Sequence, residues 1–152
     1  MAGTAADDSQ LLQLDLALEA GQLGAWDWDR EAGAVTWSAE MERLAGVRSG
    51  TFGGTFEDFM AAVHPEDRDR VAATIEEGLV TGRHVIEHRF LHPDGTVVWI
   101  EGRGAVRRDD AGDVVGLVGI AIDVTDRVRY RERLEAEQPV LRALDRISLP
   151  LN

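Results

Sequence analysis

The chain has 152 residues, enough for one ordinary domain with flanking helices and a core that needs no disulfide. Its 28 acidic side chains against 16 basic ones give a formal charge of -12, which argues against nucleic acid or an anionic membrane as a default partner. Cysteine is absent, which excludes thiol nucleophiles, thiolate metal sites and any flavin chemistry that runs through a cysteinyl adduct.

No apolar run approaches the ~20 residues of a membrane span. Met1 to Gln10 also lacks the basic and apolar regions of a secretory signal, so a soluble, cytoplasmic chain is expected. Residues 1–8 are small and acidic with nothing to bury and read as a disordered lead-in. From Ser9, a suitable N-cap, Leu11, Leu14 and Leu18 fall at helical spacing, Leu12 and Leu16 widen the stripe, and Gly21 closes an amphipathic helix over 9–21. So many leucines on one short helix have two uses: covering this chain's own sheet, or pairing with a second copy.

Gly24 to Asp29 alternates large apolar with small or charged residues, so Trp26 and Trp28 share one strand face. A turn at Glu31 to Gly33 leads to a short strand at Val35 to Trp37, and Ser38 caps a helix over Ala39 to Ala45. The glycine-rich loop Arg48 to Gly54 follows. Thr55 then opens a helix in a capping-box arrangement running to about Val63. Pro65, with Glu66 and Asp67 behind it, starts the long connecting helix, whose buried face is marked by Val71, Ile75 and Leu79 up to Gly82.

The stretch from His84 to Thr125 predicts three antiparallel strands. His84 to Leu91 and Thr96 to Val106 pair across the turn Pro93-Asp94-Gly95, and a second turn at Asp109 to Asp113 leads into Val114 to Val124. After Thr125 the composition turns to Asp, Arg, Glu and Leu, which suits an exposed exit helix. Val128, Leu134 and Leu141 approach a heptad there, and Pro139 predicts a kink or a restart.

Gly24-Ala25-Trp26-Asp27-Trp28-Asp29, Trp37-Ser38-Ala39-Glu40, His64-Pro65-Glu66-Asp67-Arg68, Glu87-His88-Arg89, Asp94-Gly95-Thr96-Val97-Val98-Trp99 and Gly119 to Thr125 together resemble the PAS family with its PAC segment. The resemblance covers residues ~22 to ~127 in the expected order of elements. It implies an α+β fold: a five-stranded antiparallel sheet in spatial order 2-1-5-4-3 with helices over one face, plus the N-terminal amphipathic and C-terminal exit helices. The domain itself is set at 22–125, and 126–152 is a linker helix toward an effector domain beyond it. That effector would be a histidine kinase, a cyclase or a serine phosphatase; Leu144 to Pro150 faintly resembles the start of bacterial serine phosphatase domains. A sensory or dimerising role follows from the resemblance, with Asp123 and Thr125 coupling sheet to output; the other reading of this junction is a helix N-cap, with Thr125 or Asp126 taking the amide bonds.

Alternation assigns the sheet's two faces. One carries Ile86, His88, Phe90, Val98, Ile100, Gly102, Leu117, Gly119 and Ala121, and with Trp26 and Trp28 these are the ligand-pocket candidates, because the resemblance puts any cofactor on this side. The two indoles fill volume there, whereas Gly102 and Gly119 leave space. The other face carries an apolar patch of Trp99, Val118, Ile120 and Ile122, which with Leu11, Leu14 and Leu18 form the candidate homodimer interface. Glu87, Arg89, Glu101 and Arg103 share that face and predict cross-strand ion pairs rather than a catalytic carboxylate pair. Of the four histidines, alternation places His88 alone on the cavity face, either as a haem or polar ligand contact or as a hydrogen-bonded core residue. His64 suits helix capping and His92 the turn. No metal-ligand cluster, nucleophile elbow or phosphate loop is present, so neither an enzyme nor a bound cofactor is expected, and a small unidentified ligand is left open. A ligand-free dimerisation scaffold is the first rival to the sensor, and a small cavity enzyme built on His88 the second.

Overall fold

The structure, a computed structural model, describes residues 4–147. The elements run α1 (Thr4–Ala20), β1 (Gly24–Asp29), β2 (Ala34–Trp37), α2 (Ala39–Ala45), α3 (Phe56–Ala62), α4 (Arg68–Thr81), β3 (Arg83–Leu91), β4 (Val97–Arg108), β5 (Val114–Asp123) and α5 (Thr125–Ile147). The strands form one antiparallel sheet in the order β2-β1-β5-β4-β3, the expected one. Each helix start has a local cause. Ser38 Oγ accepts the Met41 N–H, Thr55 and Asp58 form a reciprocal capping box, and His64 Nδ1 accepts from Glu66 N at the head of a 3-10 turn, Pro65–Asp67, that feeds α4.

Registers across the sheet place Ile86 beside Gly102 and Ala121, His88 beside Ile100, Phe90 beside Val98, and Trp26 and Trp28 beside Gly119 and Leu117. These positions share the face covered by α2, α3 and α4. The core lies between them, built on Phe90, Ile100, Leu117, Val63 and Val71. One packing detail fixes α2 to the far hairpin. Gly46 ends α2 in the left-handed region at φ 74°, a Cβ there would strike the His92 ring, and His92 Nε2 donates to the Leu44 carbonyl at 2.8 Å. His92 therefore does more than occupy its turn.

Four expectations need correction. The first helix begins at Thr4 rather than Ser9, because alanine at 5 and 6 is a good helix former and Asp8 suits the positive end of the helix dipole. Residues 1–3 of the expected lead-in lie outside the described residues. That helix does not cover its own sheet: Leu11, Leu12, Leu14 and Leu16 are all more than half exposed, and only Leu18 is partly buried. α5 does not restart at Pro139 but runs through it as one helix, although the ring removes one hydrogen bond. Finally, Val128 does not belong to an exposed seam. It is 1% exposed, while the free stripe of α5 runs Tyr130, Leu134, Leu141, Leu144, at spacings of 4, 7 and 3. With Glu137 between them these are alternating heptad positions, and Pro139 falls outside the seam.

Candidate functional site

Between the sheet and α2 to α4 lies a cavity of about 50 Å³. Six of the eleven expected pocket residues line it: Trp26, Trp28, His88, Ile100, Gly102 and Leu117. Ile86, Phe90, Val98, Gly119 and Ala121 share the face without reaching the cavity. Gly119 leaves no free space, because the Trp26 indole already lies where a Cβ at Gly119 or Gly104 would point. The remaining wall comes from Val35, Trp37, Met41, Phe56, Phe59 and Ile75. Except for Trp37, on a strand of four residues, and Val35 beside it, these come from the helices. Their side chains converge only after the helices fold over the sheet, which strand alternation cannot show.

The wall is aromatic and tightly braced. Trp28 lies against Phe56 with ring centres 5.1 Å apart, and Trp37 stacks on Phe52 at 3.7 Å while meeting Phe59 and Phe90 edge-on. His88 meets Phe59 and Phe90 edge-on in turn. Its Nδ1 stands 3.2 Å from the Arg89 carbonyl, and since a carbonyl only accepts, Nδ1 carries the proton. Burial pushes the imidazole down to about 4, so the ring is neutral at pH 7. His84 also belongs to this face, in the same alternation as His88, so the expectation of His88 alone there is corrected. It is buried, edge-on to Trp26 at 5.9 Å, and likewise lowered by burial.

Haem or flavin does not fit the cavity as built. Sites for such ligands span roughly 300–1,000 Å³, so either group would have to displace the indoles, and no cysteine is available for a flavin adduct. Among the described residues no cluster of histidine, aspartate and glutamate could hold a metal ion. No helix of the described residues is long and apolar enough to cross a membrane.

On the opposite face the charges pair differently from the expected cross-strand pattern. Glu87 stands directly opposite Glu101, and two facing carboxylates repel, so Glu87 turns to α5: Arg131 Nη2 donates to it at 2.6 Å and Arg127 at 3.4 Å. The Arg131 hydrogen bond holds the Glu87 carboxyl below its usual range. Arg89 turns the other way, to the 3-10 turn, with Nη2 2.7 Å and Nε 3.1 Å from the two Asp67 oxygens and Nη2 3.1 Å from Glu66. Burial works to raise the Asp67 carboxyl, but Arg89 outweighs it and holds the group at about 2. The same guanidinium lies 5.2 Å from the Trp99 ring centre. Only Arg103 and Glu101 pair as neighbours, at 3.4 Å along one strand.

Trp99 leads from the sheet to α5. Its N–H donates to Thr125 Oγ1 at 3.0 Å, and its carbonyl accepts the Val124 N–H at 2.8 Å. Asp123 accepts from Thr125 N at 2.9 Å and from Thr125 Oγ1 at 2.6 Å. The hydroxyl thus accepts from the sheet and donates to the preceding carboxylate. In the expected dimer patch Trp99, Ile120 and Ile122 are half-buried, and Val118 remains 43% exposed.

The family described as PAS fold matches residues 34–121. Among curated proteins, the sensor protein FixL of Bradyrhizobium diazoefficiens is 25% identical over 91% of this chain and 27% of its own length. A blue-light-activated histidine kinase of Brucella anthropi is 30% identical over 76% of this chain and 23% of its own. The chain therefore spans about a quarter of the length of these two curated relatives. A solved domain of a sensory box histidine kinase/response regulator from Burkholderia thailandensis aligns with TM-score 0.73 and 29% identity, over 86% of this chain and 98% of that one. The N-terminal domain of a diguanylate cyclase with PAS/PAC sensor from Marinobacter aquaeolei gives 0.63 and 30%, over 69% and 97%.

Proposed function

Because the chain belongs to the PAS family, we propose that it is the sensor and dimerisation module of a larger bacterial signalling protein, passing a ligand or partner signal through Asp123 and Thr125 to α5. One observation carries this reading. The backbone of Trp99 holds the start of α5, and the next residue, Ile100, lines the cavity from the other face of the same strand. A change in how the cavity is filled shifts β4, and the Trp99–Thr125 contact is where such a shift meets the helix. The energy required is modest, since a few kcal/mol of differential binding moves a two-state equilibrium decisively.

In this reading residues 22–125 form the sensing body and α5 drives an effector. The relatives' names favour a histidine kinase or a diguanylate cyclase as that effector. A serine phosphatase rests only on the pattern at Leu144 to Pro150, of which 148–150 lie outside the described residues. The exposed leucines of α1, the half-covered patch at Val118, Ile120 and Ile122, and the α5 stripe are three apolar surfaces suited to a homodimer. The ligand-free scaffold stays as a second reading, because three tryptophans line a cavity of only about 50 Å³.

Hydrogen–deuterium exchange separates the two. Ile100→Val enlarges the cavity by one methylene. Transmission predicts faster exchange at the α5 amides between Val128 and Arg131 as well as around the cavity; a response confined to the cavity favours the scaffold.

A further inference from the structure

Trp28 Nε1 is buried and has no hydrogen-bond partner. Buried polar groups are nearly always paired, so an orphan donor on a side chain that lines a cavity asks for a partner inside it. The ring is held against Phe56 and is not free to seek one elsewhere. His88 supplies a complementary group. With the proton on Nδ1 and directed at the Arg89 carbonyl, Nε2 of the neutral ring is a lone-pair acceptor. None of the residues lining the cavity is charged; the polar side-chain atoms among them are the ring nitrogens of His88 and the three tryptophans, of whose indole N–H groups Trp28 Nε1 is the one buried without a partner, and the Met41 thioether. An ion would pay its full desolvation there with no countercharge, whereas a neutral molecule with one acceptor and one donor would satisfy both rings.

Size narrows the class further. Each water occupies roughly 30 Å³ of liquid, and an apolar cavity of about 150 Å³ takes benzene; about 50 Å³ suits two to four non-hydrogen atoms. We infer that the cavity binds a small uncharged molecule of the short amide or alcohol class, with its acceptor on Trp28 Nε1–H and its donor on His88 Nε2. This names the signal class for the regulatory reading and rests on that reading for its purpose, though not for the binding itself.

The four tryptophans give four indole N–H resonances, assignable by single Trp→Phe variants. Formamide, with three non-hydrogen atoms, a donor and an acceptor, is the probe, and xenon is an apolar probe of similar size. Titrating formamide into the native protein should move the Trp28 resonance saturably, with a dissociation constant no tighter than about millimolar for so few atoms. Trp28→Phe should weaken formamide about tenfold and leave xenon within about twofold. A Trp28 signal that follows xenon but ignores formamide would make the cavity a plain apolar void and overturn the inference. So would a signal that ignores both, including one held by an ordered water that formamide does not displace. The two readings fail separately: formamide ignored while Ile100→Val still loosens α5 removes only the ligand class, and formamide bound while α5 stays indifferent to Ile100→Val removes the regulatory role.

Discussion

The backbone N–H of Trp99 donates to Thr125 Oγ1, so the first turn of α5 is hydrogen-bonded to the strand that backs the cavity. Thr125→Val keeps the shape of the side chain and removes the acceptor, leaving Trp99 N–H unpaired. It should cost about 1–2 kcal/mol in urea unfolding, with the largest increase in amide exchange at the start of α5.

Glu87 is the second tie between sheet and helix, gripped by Arg127 and Arg131. These pairs are half exposed and screened, so Glu87→Gln should change the unfolding midpoint little. It should nevertheless speed exchange of the amides from Val128 to Arg131 severalfold, and the same effect should appear in the native protein at high salt. Unchanged exchange would show that the pair does not hold the helix.

Asp67 is a buried carboxylate satisfied by Arg89 from both side chain and backbone, so Asp67→Asn should destabilise by about 3 kcal/mol. Its pH behaviour has a definite sign. The folded carboxyl is lowered from 3.8 to about 2, so its stabilising contribution, about 2 kcal/mol, is complete above pH 4 and is lost as pH falls through about 2. The variant should lack that acid step while keeping the rest of the acid transition.

His88 acts at higher pH with the same sign. A ring held at about 4 when folded and near 6.5 when unfolded makes the unfolded chain bind the proton first. Stability should therefore be constant above pH 7 and decline by about 3 kcal/mol as pH falls from 6.5 toward 4, with His84 adding to the decline. His88→Gln should flatten most of this slope in urea titrations at successive pH values, whatever its effect on absolute stability.

The sheet was legible because its signals are local. Pro93-Asp94-Gly95 sets the hairpin turn, and parity from Ile86 to Phe90 then fixes which side chains face the helices. The same parity extends to His84, which faces the helices two positions before Ile86. The charge partners were not legible. Arg89 reaches Asp67 22 residues away and Glu87 reaches Arg131 44 residues away, because the 3-10 turn and α5 pack beside strands whose own facing charges, Glu87 and Glu101, repel. Val128 misled for the same reason: a helix leaving a sheet spends its first turn on packing, and only the later residues keep the heptad.

The most direct test of transmission to a dimeric output helix uses the absence of native cysteine. Arg142→Cys on the exposed part of α5, spin-labelled, should give one narrow interspin distance under about 25 Å in the homodimer, since packed helix axes lie about 10 Å apart. Adding Thr125→Val should broaden or shift it. No dipolar coupling would contradict the dimer, and an unchanged distance after Thr125→Val would contradict the role of the Trp99–Thr125 contact in setting the helix.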